Sequence, residues 1–176
     1  MLKPCAAALV LLSSASFSAQ MPDKAAMSAN PIATSARMFL EEHAESIVSA
    51  ADLMPAAKYD YHPTPAQLTF GALMNHIAQT NVRICSAIAG APVNPADTPA
   101  NTPKAALVAA VKDSFATCQT ALAKITDGQM GDIVEIRGNK LPRGYLVMTL
   151  VADWADHYST AASYLRMNDI LPPTAR

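Results

Sequence analysis

Seven of the thirteen prolines in this 176-residue chain fall in two short stretches, MPAAKYDYHPTP at 54–65 and APVNPADTPANTP at 91–103. Proline has no amide hydrogen to donate, and it drives the residue before it out of helical geometry. No helix can run through either stretch. Between and beyond them, apolar residues recur at three- and four-residue steps, the period of a half-buried helix. The chain is therefore divided into long amphipathic helices joined by proline-rich connections.

The first helix covers 31–53. Pro31 suits its first turn, and Leu40, His43, Ile47, Ala50 and Met54 mark one face. The second covers 66–89, with Phe70, Leu73, Met74, Ile77, Asn81, Ile84 and Ile88 as its stripe and Gly90 as its stop. The third covers 104–125, with Val108, Val111, Phe115, Cys118 and Leu122. The fourth covers 142–168, with Leu146, Leu150, Trp154, Ala161 and Leu165. Between the third and fourth, Ile133-Val134-Glu135-Ile136 has strand character, and Gly138-Asn139 can turn it back. A short hairpin or an irregular loop fits there. The fold class is all-α, a helical bundle in one domain spanning 31–173.

Residues 1–19 have the layout of a secretory signal peptide. Lys3 is followed by an apolar core at 6–12 and then by small residues up to Ala19. Residues 20–30 are small and polar, and a flexible segment is expected. The mature chain is then exported, with the periplasm of a double-membraned bacterium as the expected compartment. No later stretch is apolar for long enough to span a bilayer. The net charge of -1 offers no basic field for nucleic acid. Phosphate-cradling glycine loops, paired-cysteine zinc spacings and nucleophile motifs are missing.

With the signal removed, Cys85 and Cys118 remain, and an oxidising compartment suggests that they pair. Cys85 lies about 28 Å into the second helix and Cys118 about 21 Å into the third, at roughly 1.5 Å per residue. Those heights match only if the two helices run parallel. The connection at 91–103 can stretch about 40 Å, enough to return along the bundle.

Three polar residues point to chemistry. Asp153 and His157 are four apart on the fourth helix and so share a face. His76 lies on the flank of the second helix. If the second and fourth helices are antiparallel, His76 and His157 meet at one level. An acid and two imidazoles can ligate a divalent metal; they can equally be hydrogen-bonded residues of a bundle. Thr80, Arg83, Thr149, Thr160 and Tyr164 share the same helical faces and could line such a site. His43 is either a satisfied bundle histidine or a spare ligand and candidate base. His62, just before a proline, reads as structural.

The run Met54-Pro55-Ala56-Ala57-Lys58-Tyr59-Asp60-Tyr61-His62-Pro63-Thr64-Pro65, followed by Thr69-Phe70-Gly71-Ala72-Leu73-Met74-Asn75-His76-Ile77-Ala78, resembles the DinB superfamily. So do Asp156-His157-Tyr158, Tyr164-Leu165-Arg166-Met167-Asn168 and the terminal Pro172-Pro173. The resemblance covers most of the chain after about residue 35. It implies a four-helix bundle of up-down-down-up topology. It also implies a three-ligand divalent metal site with one histidine on the second helix and a His-x3-His pair on the fourth. His76 matches the first ligand and His157 the last, whereas Asp153 stands where the family pattern has histidine. Zinc, nickel or iron would suit His76, Asp153 and His157.

Two functions follow as expectations. One is a metal-dependent hydrolase or thiol S-transferase acting on a small molecule, a thiol among the candidates. The other is a non-catalytic bundle that binds an apolar ligand or a partner, with the metal site weakened. A second copy of the chain is a further candidate partner.

Overall fold

The computed structural model describes residues 24–99 and 101–175. The signal-peptide reading of 1–19 lies outside the described residues. A short helix α1, Lys24–Ala29, occupies part of the stretch expected to be flexible. The four long helices follow as α2 (Pro31–Leu53), α3 (Phe70–Ile88), α4 (Lys104–Leu122) and α5 (Arg143–Arg166). The strands β1 (Ile133–Ile136) and β2 (Asn139–Pro142) pair antiparallel between α4 and α5.

The contacts between helices define the topology. Asn81 meets Ser114 and Cys85 meets Cys118, both across a separation of 33 residues, so α3 and α4 run parallel. Along α3 and α5 the pairs Phe70–Tyr164, His76–His157 and Asn81–Trp154 climb one helix while descending the other, so these two are antiparallel. Arg37 bonds to the carbonyl of Leu122, and Lys104 to that of Asp52, which makes α2 and α4 antiparallel. The bundle is up-down-down-up.

The disulfide joins the two parallel helices with Cα atoms 4.9 Å apart. Beside it runs a buried polar chain. Trp154 Nε1 donates to Asn81 Oδ1 at 2.7 Å, Asn81 Nδ2 donates to Ser114 Oγ at 3.0 Å, and Ser114 donates to the Val111 carbonyl at 2.7 Å. Asn81 is completely buried. A buried amide left unpaired would be costly, so this chain ties α3, α4 and α5 into one register. Apolar packing fills the rest, with Ile47, Met54, Phe70, Met74, Ile77, Val111, Leu122, Leu150 and Leu165 all but inaccessible.

The ends of the helices are held by distant residues. The first amides of α2, from Ile32 and Ala33, donate to the Asp127 carboxylate at 2.9 and 2.8 Å. The Asp127 amide in turn donates to the Asn30 side chain at 3.0 Å. A loop 94 residues away in sequence thus caps α2. Thr69 caps α3 by accepting from the Ala72 amide. Gly90, at φ 78°, closes α3 with bonds from Gly90 to Ala87 and from Ala91 to Ser86, a left-handed stop that a glycine adopts without steric cost. Arg143 donates to the Ile88 carbonyl at the same end, and also to Asp132, which pins the β-hairpin loop onto the end of α3.

The hairpin turns through Arg137 and Gly138, both left-handed at φ 50° and 75°. Such a turn favours Asn-Gly or Asp-Gly, and a long side chain at its first position carries a strain of about 1–2 kcal/mol. Val134 is buried and anchors the hairpin to the bundle.

Candidate functional site

His76 lies on the second turn of α3, on the flank of its buried stripe. Leu73 and Ile77 on either side are in the core, so the backbone there is fixed while the imidazole stays exposed. His157 is on α5, three residues after the fully buried Trp154. The antiparallel packing of α3 on α5 brings the two rings together. Their planes differ by 9° and their centroids are 4.9 Å apart. These residues are 81 positions apart in sequence, and only the tertiary fold makes them neighbours.

His157 Nδ1 lies 2.6 Å from the Asp153 carbonyl oxygen. A carbonyl can only accept, so Nδ1 carries the hydrogen and Nε2 keeps its lone pair. Asp153 brings its carboxylate 3.6 Å from the same Nδ1, and Asp156 comes within 3.9 Å. The acid therefore approaches the Nδ1 edge of the ring. It orients the imidazole from behind, as a supporting carboxylate does in metal and catalytic sites. The ring nitrogens of His76 make no hydrogen bond among the described residues.

The electrostatics are those of a partly desolvated junction between two helices. Packing along one side of His76 pushes its imidazole below the ordinary value. The charge of His157 acts the same way, Asp153 opposes it, and Arg83 and Arg137 add to the lowering. Burial raises the Asp153 carboxyl, against the pull of His157 and His76. The lowering favours the neutral form of the His76 imidazole, whose ring can then offer a lone pair to a cation.

Do these side chains fit the metal that the donor types suggest? Two imidazoles do, with His157 in the right tautomer. The third donor does not, because the Asp153 carboxylate sits against Nδ1. Among the described residues no three His, Cys, Asp or Glu side chains are grouped to hold a metal ion.

The other expected residues separate. Arg83 is half-buried two turns along α3 from His76, and Thr149 is half-buried on α5. Thr80 is buried. The Thr160 hydroxyl is bound to the Asp156 carbonyl. Tyr164 is buried and donates to the Leu68 carbonyl at 2.9 Å, closing the far end of the bundle with Phe70 and Tyr61. His43 has its Nδ1 bound to the Phe39 carbonyl and its ring 6.4 Å from that of Trp154, which makes it a bundle histidine. His62 closes a turn onto Thr64. Arg137 was not expected. A charged residue at a turn position that prefers asparagine or glycine is the one signal that could have exposed it.

Among the described residues no helix is long and apolar enough to cross a membrane. Residues 40–161 match the DinB superfamily. No curated protein matches the chain. Two solved structures share the fold. One is a DinB-like protein from Bacillus cereus, with TM-score 0.62 and 18% identity, covering 77% of this chain and 93% of the other. The second is a DinB-like protein from Bacillus subtilis, with TM-score 0.66 and 16% identity, covering 84% of this chain and 99% of the other. With more than half of its length matched and an up-down-down-up bundle around the paired histidines, the chain belongs to the DinB superfamily.

Proposed function

We propose that this protein is an exported, metal-dependent DinB-type enzyme, a hydrolase or thiol S-transferase acting on a small molecule. His76 and His157 would hold a divalent cation (zinc, nickel or iron), and Asp153 would complete the set by turning its carboxylate from the Nδ1 edge of His157. The observation that carries this reading is the histidine pair itself, two imidazoles from separate helices with centroids 4.9 Å apart. A cation held there would supply Lewis acidity. The protein's own contribution is orientation. The Asp153 carbonyl fixes the His157 tautomer, and Trp154, bonded to Asn81, fixes the turn of α5 that carries both residues. The buried Cys85–Cys118 disulfide supports export, because such bonds persist in oxidising compartments.

A second reading, a non-catalytic bundle, is favoured by the position of the Asp153 carboxylate, which leaves the third ligand unmade. Metal content decides between them. The exported chain is purified without chelator or affinity metal and analysed by mass spectrometry beside His76→Ala and Asp153→Ala. Near-stoichiometric metal lost in both variants is the expected result. Metal lost only with His76→Ala removes Asp153 from the ligand set. A wild type that stays empty after zinc, nickel and iron are added overturns the enzyme reading.

A further inference from the structure

We propose that the open side formed by α2 and α5 is a docking surface for a second copy of this chain, related to the first by a two-fold axis. The pairing needs no metal and leaves the histidine pair, on the α3 side of α5, uncovered.

The two helices are set side by side at their starts. The Ile32 amide donates to Asp127 at 2.9 Å, and in the same short turn the Met130 carbonyl accepts from the Gly144 amide at 2.8 Å. About three turns further on, the His43 ring lies 6.4 Å from that of Trp154 and 6.1 Å from that of Phe39. So α2 and α5 run parallel and in contact. On α2, Ile32, Phe39 and His43 share one face at seven- and four-residue steps. On α5, Tyr145, Met148, Ala152, Ala155 and Ser159 recur at three- and four-residue steps, and all five are exposed. None of these α5 positions carries a charge.

Large apolar side chains stand open here. Ile32 is 45% exposed, Phe39 43%, Tyr145 59% and Met148 61%. Ile133, 62% exposed, joins them through its pairing with Pro142, the residue before α5. At these exposures the five side chains offer on the order of 500 Å² of open apolar surface, which few monomers leave in one place. A stable pairing buries about 800 Å² on each copy, and the small residues beyond them supply the remainder.

The distribution of sizes selects the occupant. The large side chains are confined to the first halves of the two parallel helices and the strand beside them. Further along, the outward face of α5 narrows to Ala152, Ala155 and Ser159. A two-fold axis across this face lays the large end of one copy on the small end of the other, and every contact is made twice. The exposed acids Glu41, Glu42 and Asp156 border the face and disfavour an anionic lipid surface.

The test is sedimentation equilibrium of the disulfide-bonded chain across the micromolar range, with light scattering as a second measure of mass. A reversible dimer is expected. Phe39→Glu and Met148→Glu put charge at the large end, and Ala152→Glu at the small end. Each should weaken self-association by about tenfold or more. Val93→Glu, at a residue 50% exposed on the connection that leaves α3, should not change it. All four positions face solvent, and unchanged circular dichroism certifies that each variant is folded. A wild type that stays monomeric through the high micromolar range overturns the proposal, as does a dimer that survives all three substitutions. A dimer broken by Phe39→Glu and Met148→Glu but untouched by Ala152→Glu overturns the two-fold pairing of large on small. Monomeric protein that sediments with neutral phosphatidylcholine vesicles, and loses this in Met148→Glu, overturns the proposal in favour of a membrane surface.

Discussion

The seam between α3 and α4 and the junction between α3 and α5 lie on opposite flanks of one helix, and they are built to opposite rules. At the seam everything is matched. Cys85 and Cys118 are fully buried and joined, and Asn81 donates to Ser114, while Trp154 of α5 donates to the same buried amide and ties the seam to the helix beyond it. At the junction the His76 nitrogens have no hydrogen-bond partner among the described residues, and Asp153 is held above its ordinary carboxyl value. One flank of α3 removes freedom and the other retains unspent chemistry. A site of that kind is stable only because the flank behind it does not move.

The largest way to break this comparison is to cut the seam. Replacing Cys85 and Cys118 together by serine opens a crosslink across 33 residues. The expected loss is about 3–4 kcal/mol from the gain in unfolded-chain entropy. Denaturant midpoints of the variant and the wild type measure it. A loss below about 1 kcal/mol would mean that packing alone holds α3 parallel to α4.

A smaller cut sharpens it. Asn81→Ala leaves the Trp154 indole nitrogen and the Ser114 hydroxyl short of partners in the core, at a cost of about 2–3 kcal/mol. Since Trp154 fixes the turn of α5 that carries Asp153 and His157, the His76 and His157 ring resonances should shift as well. Stability lost with those resonances unmoved would show that the seam and the junction are independent.

The smallest effect belongs to the junction. His76 titrates below its ordinary 6.5 in the folded chain, so the unfolded chain binds the proton more readily. Its contribution to stability is complete above 6.5 and is lost as pH falls through the lowered folded value. Asp153 is raised from 3.8 and acts oppositely, so acidification in that lower window favours the fold. Urea midpoints from pH 8 to pH 5 should fall in wild type and fall less in His76→Gln. Identical slopes would remove His76 from the pH response.

The architecture was largely legible beforehand because helical period and proline placement are local properties. Phe70, Leu73, Met74 and Ile77 announce a face, and the stretch at 91–103 announces a break. The disulfide was legible for a different reason. On the expectation that residues 1–19 are removed, only two cysteines remain, and their heights on the helices demand parallel packing. The capping of α2 by Asp127 was not legible, because the two lie 94 residues apart and Asp127 sits in no local capping pattern of α2. Thr160 and Tyr164 share helical faces with the site, yet their hydroxyls are taken by backbone carbonyls that no spacing rule reveals.

By itself the sequence determined four amphipathic helices, their breaks and the residue types capable of chemistry. Each of these follows from propensity and period within a few turns of chain. Only the tertiary structure decided what those residues face. Antiparallel packing set His157 against His76, and a carbonyl set its tautomer. Side-chain direction across helices depends on packing angle and register, which are sums over the whole core and are written in no local pattern.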